Sequence, residues 1–307
     1  MARSLTFLSS SLRWLAIATL GLGLHAVWAF DVVSGDFDKI RQSQTDKPIV
    51  WQYADNPSIY VFDFPGLMLQ GRTFNRITQF TEQQSKREPY PKVLTSAELE
   101  RFIAAARRTQ ADFAFGHDVL VSELVQFFNF AQRDQVALYP EEIALRDFLV
   151  ERGLMRNWRG FWQGLQPNAV ILSVPQMQER KADEPKITEG ARYTILLHEM
   201  AHAEYYTNPA YAKFCLNFVA EVLTQEQRER FIAFLSAMGY QVVGDDELLV
   251  NETQAYLMFT PDPKAFSAAR LGVTPEELAA MRAAFVRGRP PTRLPFFTPG
   301  GLGCSRP

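Results

Sequence analysis

The spacing of apolar and polar positions predicts many helices and few strands. Thr95-Ser96-Ala97-Glu98 has the form of a capping box, and Leu99, Phe102, Ile103 and Ala106 follow at helical spacing. Thr224 to Gln227 repeats that start ahead of Phe231, Phe234 and Met238, and Gly239 marks the stop. Thr274-Pro275-Glu276-Glu277 places proline at a first helical position, and Tyr139-Pro140-Glu141-Glu142 opens a helix that ends near Gly153. Residues Phe113 to Arg133 are predicted helical as well. Within them His117, in Gly116-His117-Asp118, reads as a loop or cap histidine rather than an isolated functional residue. Strand-like runs are short: Ile49 to Tyr53, Ile59 to Phe62 and Val170 to Val174. The expected class is α+β, predominantly helical, with a small sheet.

One helix carries chemistry. Thr188 is placed to cap it and Glu189 complements its dipole; Asn208-Pro209 ends it. Ala191, Ile195, His198, His202 and Tyr205 or Tyr206 fall on one side. His198-Glu199-Met200-Ala201-His202 therefore projects two imidazoles from one face, at the spacing that binds a single Zn²⁺. Glu199, one step along, can reach a water on the metal as a general base. The polar stretch Gln178 to Pro185, between the strand at Val170 and this helix, reads as a solvated connection or the border of a cleft.

A catalytic zinc of this type takes a third protein ligand and keeps one position open. No histidine follows His202, so the third ligand is expected to be a carboxylate. Two glutamates compete. Glu221 falls late in the helix opening at Asn208-Pro209, on the edge of a stripe of Tyr211, Phe214, Cys215, Phe218 and Val222. Glu252 falls inside the apolar face of a helix capped by Asp245 or Asp246, among Leu248, Ala255, Tyr256 and Phe259. A carboxylate in a core costs several kcal/mol unless it is paired or bound to metal, which favours Glu252. Asn251 could orient a ligand or stabilise the helix start. Tyr256, one turn beyond Glu252, reads as a core tyrosine or as a catalytic donor to a developing oxyanion.

The His198–His202 motif with a later Asn251-Glu252 pair resembles the gluzincins, HExxH metallopeptidases whose third ligand is a glutamate on a following helix. Glu221, with eighteen residues between it and His202, matches the spacing of the aminopeptidase-type members instead. The resemblance runs from Val170 to Phe259 and departs from the thermolysin pattern in its longer separation. The chain is also similar to a group of secreted bacterial proteins with HExxH and a later NExQAY. Both resemblances imply a zincin-like active-site helix beside a small sheet and a peptidase activity.

The N-terminus adds a compartment. Arg3 and Arg13 precede the apolar run Trp14 to Leu24, and Val27-Trp28-Ala29 offers small residues for cleavage. Residues 1–29 are read as a signal peptide, with an uncleaved anchor as the alternative; 30–165 as a helical N-terminal region that is an accessory domain, a pro-segment or part of one continuous fold; 166–286 as the zincin-like catalytic region and 287–307 as a Pro/Gly-rich tail. A secreted or periplasmic protein follows, without stable membrane insertion after cleavage. In an oxidising compartment Cys215 and Cys304 could form a disulfide or stay free thiols. Net charge is −2 with no basic block, which gives no signal for nucleic acid or for a polybasic membrane contact. The reading is a zinc-dependent hydrolase of a peptide or protein substrate, with Zn²⁺ on His198, His202 and Glu252. Its rivals are a non-catalytic scaffold that keeps the helix, and a hydrolase of non-peptide amides such as those of a cell wall.

Overall fold

Every residue of two segments, Ile59–Phe64 and Val170–Pro175, is buried. A strand covered on both faces belongs at the centre of a sheet packed between two layers. The computed structural model of the protein, which describes residues 30–82 and 91–294, is built that way. Its strands are β1 (Asp31–Gly35), β2 (Ile49–Tyr53), β3 (Ile59–Phe64), β4 (His117–Leu120), β5 (Met155–Trp158), β6 (Phe161–Gly164) and β7 (Val170–Pro175). Five of them form one mixed sheet in the order β1-β2-β3-β7-β4, and β5 and β6 form a separate hairpin. β1 runs parallel to β2 and β3 parallel to β7, whereas β2–β3 and β7–β4 are antiparallel. β4 is thus a short edge strand.

The helices are α1 (Phe37–Gln42), α2 (Leu67–Thr81), α3 (Ser96–Ala105), α4 (Val121–Arg133), α5 (Pro140–Glu151) and α6 (Glu189–Thr207). After them come α7 (Pro209–Asn217), α8 (Gln225–Ala237), α9 (Asp246–Phe259), α10 (Ala268–Leu271) and α11 (Pro275–Gly288). The class is α+β with helix predominant. Alternation along the central strands sorts the helices into two layers. Ile59, Val61, Val170, Leu172 and Val174 meet α6 to α11 in one core. Tyr60, Phe62, Phe64 and Ile171 meet α2, α4 and α5 in another.

The predicted helix starts are present. Thr95, Thr224 and Thr274 each accept from the backbone three residues on, in reciprocal capping boxes. Two expectations change. The helix expected from Phe113 begins only at Val121, because residues 117–120 pair with Leu120↔Val170 through His117↔Ser173 as β4. The boundary drawn near residue 165 crosses a single sheet, since β3 and β7 pair along their whole length from either side of it. The stretch read as a helical N-terminal region supplies four of the five strands of that sheet. The signal peptide and Cys304 lie outside the described residues; Cys215 is buried.

The polar connection after β7 is pinned. Glu184 accepts from the Leu67 and Met68 amides at 2.6 and 3.4 Å, capping α2 where Gly66 offers no side chain. Gln178 and Ile187 close the loop with a backbone bridge.

Candidate metal centre

Burial fixes where α6 sits. Asp63 on β3 is fully buried on the face that carries α6, and Arg192 from the first turns of α6 meets it at 2.7 Å. The same guanidinium donates to the carbonyls of Arg41, Pro175 and Ile40, so every arm has an acceptor. Burial pushes the Asp63 carboxyl upward and Arg192 opposes it. Thr188 caps α6 by accepting from the Ala191 amide, and Asn208 ends it while capping α7.

With α6 so placed, His198 and His202 face α9, which packs along α6. Asp245 caps α9 by accepting from the Leu248 amide, which turns Asn251 and Glu252 inward. His198 Nε2 stands 3.7 Å from Glu252 Oε2, and His202 Nε2 stands 3.8 Å from Glu252 Oε1. One donor atom from each of the three lies within 4.8 Å of the others. A tetrahedral zinc with bonds near 2.0–2.1 Å would bring such atoms to about 3.4 Å, a small closure from what is seen.

The other ring nitrogens decide which lone pairs point inward. Thr260, at the end of α9, donates its hydroxyl proton to the Ala255 carbonyl at 3.0 Å. Its oxygen therefore accepts from His198 Nδ1, 2.8 Å away. Asn251 Oδ1 accepts from Gln254 Nε2 and lies 2.9 Å from His202 Nδ1, which must be the donor. Both histidines so hold Nδ1–H and leave an Nε2 lone pair directed at Glu252, the arrangement a metal ligand requires. Glu252 Oε2 is buried with no hydrogen-bond partner, an orphan that a cation would satisfy.

The charges point the same way. Burial and the neighbouring His202 push His198 well below the ordinary imidazole range. Burial also opposes charge on His202, but Asp118 and Glu252 outweigh it and lift its pKa. Glu252 is pushed up to about 7, chiefly by burial and against the pull of His202. Glu199 is raised well above the carboxylate range by burial, with Asp118, Glu252 and Glu82 adding to the rise. Carboxylates crowded around two buried imidazoles, of which only His198 is pushed toward its neutral form, make a place whose charge a cation would balance.

Two residues at this centre have no signal in local sequence. Asp118 on β4 brings a carboxylate oxygen to 3.9 Å from His202 Nε2, and with Glu199 and His202 it makes a second possible ligand group. Gly116 lies against the Glu199 carboxylate, and a Cβ there would collide with it. His117 between them is an anchor: its ring stacks on Phe74, with Nδ1 2.6 Å from Ser173 Oγ and Nε2 3.3 Å from Asn75 Oδ1. It is a buried strand residue, not the loop or cap histidine the sequence suggested, and burial lowers its pKa to about 3.

The competing glutamate stands apart. Glu221 is exposed, in a π-helical turn over Phe218–Val222. Tyr256 packs its ring edge-on against His198 at 4.7 Å between centroids, and its hydroxyl meets that of Tyr240 at 3.4 Å. A cavity of about 130 Å³ opens beside the cluster, lined by Glu82, Asp118, Glu123, Asp245, Glu247 and Glu252 among others. No protein-family model matches the chain, and neither does any curated protein or solved structure.

Proposed function

We propose that the chain is a zinc-dependent metallohydrolase of the gluzincin type, acting on peptide bonds. The observation that carries the proposal is the pair of Nδ1-anchored histidines whose Nε2 atoms converge on Glu252, where Oε2 is buried without a hydrogen-bond partner. His198, His202 and Glu252 would hold the ion. When bound there, zinc would supply a Lewis acid and a water acidic enough to attack near neutral pH. Glu199, whose carboxylate fits against Gly116 beside that position, would accept a proton from a water activated there and return it to the leaving amine. Asn251 and Thr260 keep the two imidazoles in the ligating tautomer. Tyr256 supports His198 by packing; an oxyanion role would require its hydroxyl to leave Tyr240.

Asp118 favours a second reading. A carboxylate that near His202 could complete a four-residue site, and four protein ligands mark a structural zinc without catalysis.

Metal content of the purified protein, by elemental mass spectrometry, is the first test. One zinc per chain is expected in the native protein, lost in His198→Ala and Glu252→Ala and retained in Glu221→Ala. Glu199→Gln should keep the metal and abolish cleavage of a peptide library. A native protein that takes up no zinc when it is supplied would end the proposal; zinc bound with no cleavage of any peptide would leave the structural reading.

A further inference from the structure

The β5–β6 hairpin stands outside the central sheet and takes no part in the metal centre. Its turn is Arg159-Gly160, with φ of 52° and 87°, the two left-handed residues of a tight two-residue connection. Glycine accepts that backbone without cost; arginine does not, so the turn is held by its surroundings. Asn129 of α4 exchanges both hydrogen bonds with the Trp162 backbone, at 2.9 and 3.0 Å, as a neighbouring strand would. Gln132 adds a bond to the Gly160 carbonyl, and Asn157 accepts from the Gly160 amide. Side chains of α4 thus tie the hairpin down at Trp162 and at Gly160.

What it presents is apolar and cationic. Trp158 and Phe161 flank the turn and are 50% and 68% exposed, and Leu165 follows at the base. Phe161 and Val243 are the most exposed large hydrophobic residues among those described. Arg156 and Arg159 lie over the Trp158 ring at 5.3 and 5.6 Å, and Arg152 precedes the hairpin. None of these arginines has an ion-pair partner among the described residues, and residues 152–165 contain no carboxylate. The basic character escapes a search for charge runs because the arginines are spaced along the chain and gathered only by the turn.

We infer that this hairpin docks the protein on an anionic lipid bilayer, with Trp158 and Phe161 at the headgroup level and the arginines on lipid phosphates. Tryptophan and other amphipathic rings settle at the membrane–water interface, and each nearby arginine adds attraction to an anionic surface. The shape selects this occupant over a folded protein. A stable protein partner needs a broad complementary face of about 800 Å² on each side, whereas a convex two-residue tip fits a deformable, uniformly charged surface. The contact is peripheral; no described helix is long and apolar enough to cross a membrane.

The test is co-sedimentation of the full chain with phosphatidylcholine vesicles, with and without one-third phosphatidylglycerol, at low and high salt. The readout is the excess binding to the anionic vesicles, compared between the wild type and variants that carry the same N-terminal segment, so that its contribution cancels. Arg156→Glu with Arg159→Glu should lower that excess by tenfold or more, on about fivefold per arginine. Trp158→Ala with Phe161→Ala should lower it as well, and high salt should weaken the wild type. Circular dichroism and thermal midpoints should match the wild type, since all four side chains are on the surface. No excess binding of the wild type would overturn the inference. So would an excess that both double variants retain, or one that the aromatic pair leaves unchanged.

Discussion

Gly116 has no side chain, and Glu199 occupies the room this leaves. A methyl group there must push the carboxylate away from its place beside the histidines. Gly116→Ala should therefore keep zinc and fold but lose about 10²-fold in peptide cleavage, the scale of a displacement near 1 Å. His117 makes a different prediction. Its pKa is about 3 in the fold and near 6.5 when the chain is unfolded. Between those values the unfolded state binds the extra proton, so stability from this residue is full above pH ~6.5 and drains as pH falls toward 3. The shift corresponds to roughly 4–5 kcal/mol. Urea titrations from pH 7 to 4 should show this loss, and His117→Gln should flatten it.

At the scale of elements, α9 governs the centre and α6 is its platform. The platform depends on Arg192, which holds the start of α6 to β3 and to the end of β7. Arg192→Met would leave Asp63 buried and unpaired, at about 3–5 kcal/mol. Adding Asp63→Asn should recover part of that loss in chemical denaturation. These elements also show what the sequence makes legible. The histidines of α6 were readable because i and i+4 share a helix face whatever packs on it. Glu252 was readable because a charge amid Leu248, Ala255, Tyr256 and Phe259 has no local reason to be there. The caps Thr188 and Asp245 act over three residues, a distance any sequence reveals. β4 was not readable. Four residues that run straight into α4 gain strand character only by pairing with β7, so by local pattern Gly116, His117 and Asp118 read as part of the helix over residues 113–133, with His117 a loop or cap histidine. The Asp63–Arg192 pair joins positions 129 apart, beyond any periodicity.

For the whole molecule, a bound metal would tie the two central helices together and, through Asp118, face the edge strand. Anything that binds the folded state alone stabilises it, by about 2.7 kcal/mol when the ligand is a hundredfold above its Kd. For a domain of this size that is roughly 5–10 °C. Chelation should lower the thermal midpoint by this much, zinc should restore it, and Glu252→Ala should show neither response. The two-core architecture was only partly legible. Three strands were expected and found, but β1 and β4, which complete the sheet, carry no strong period of their own.

Thr260, Asn251 and Glu252 all lie within one ten-residue stretch, 251–260. That stretch would contribute one ligand, and it sets the proton on both of the histidines that would supply the others. In evolutionary terms, the familiar five-letter signature on α6 is the less informative half of this site. A descendant chain could keep both histidines and Glu199 for packing long after losing the metal. Drift at positions 251, 252 and 260 is therefore the record by which a relative that has abandoned the chemistry would be told from one that has kept it.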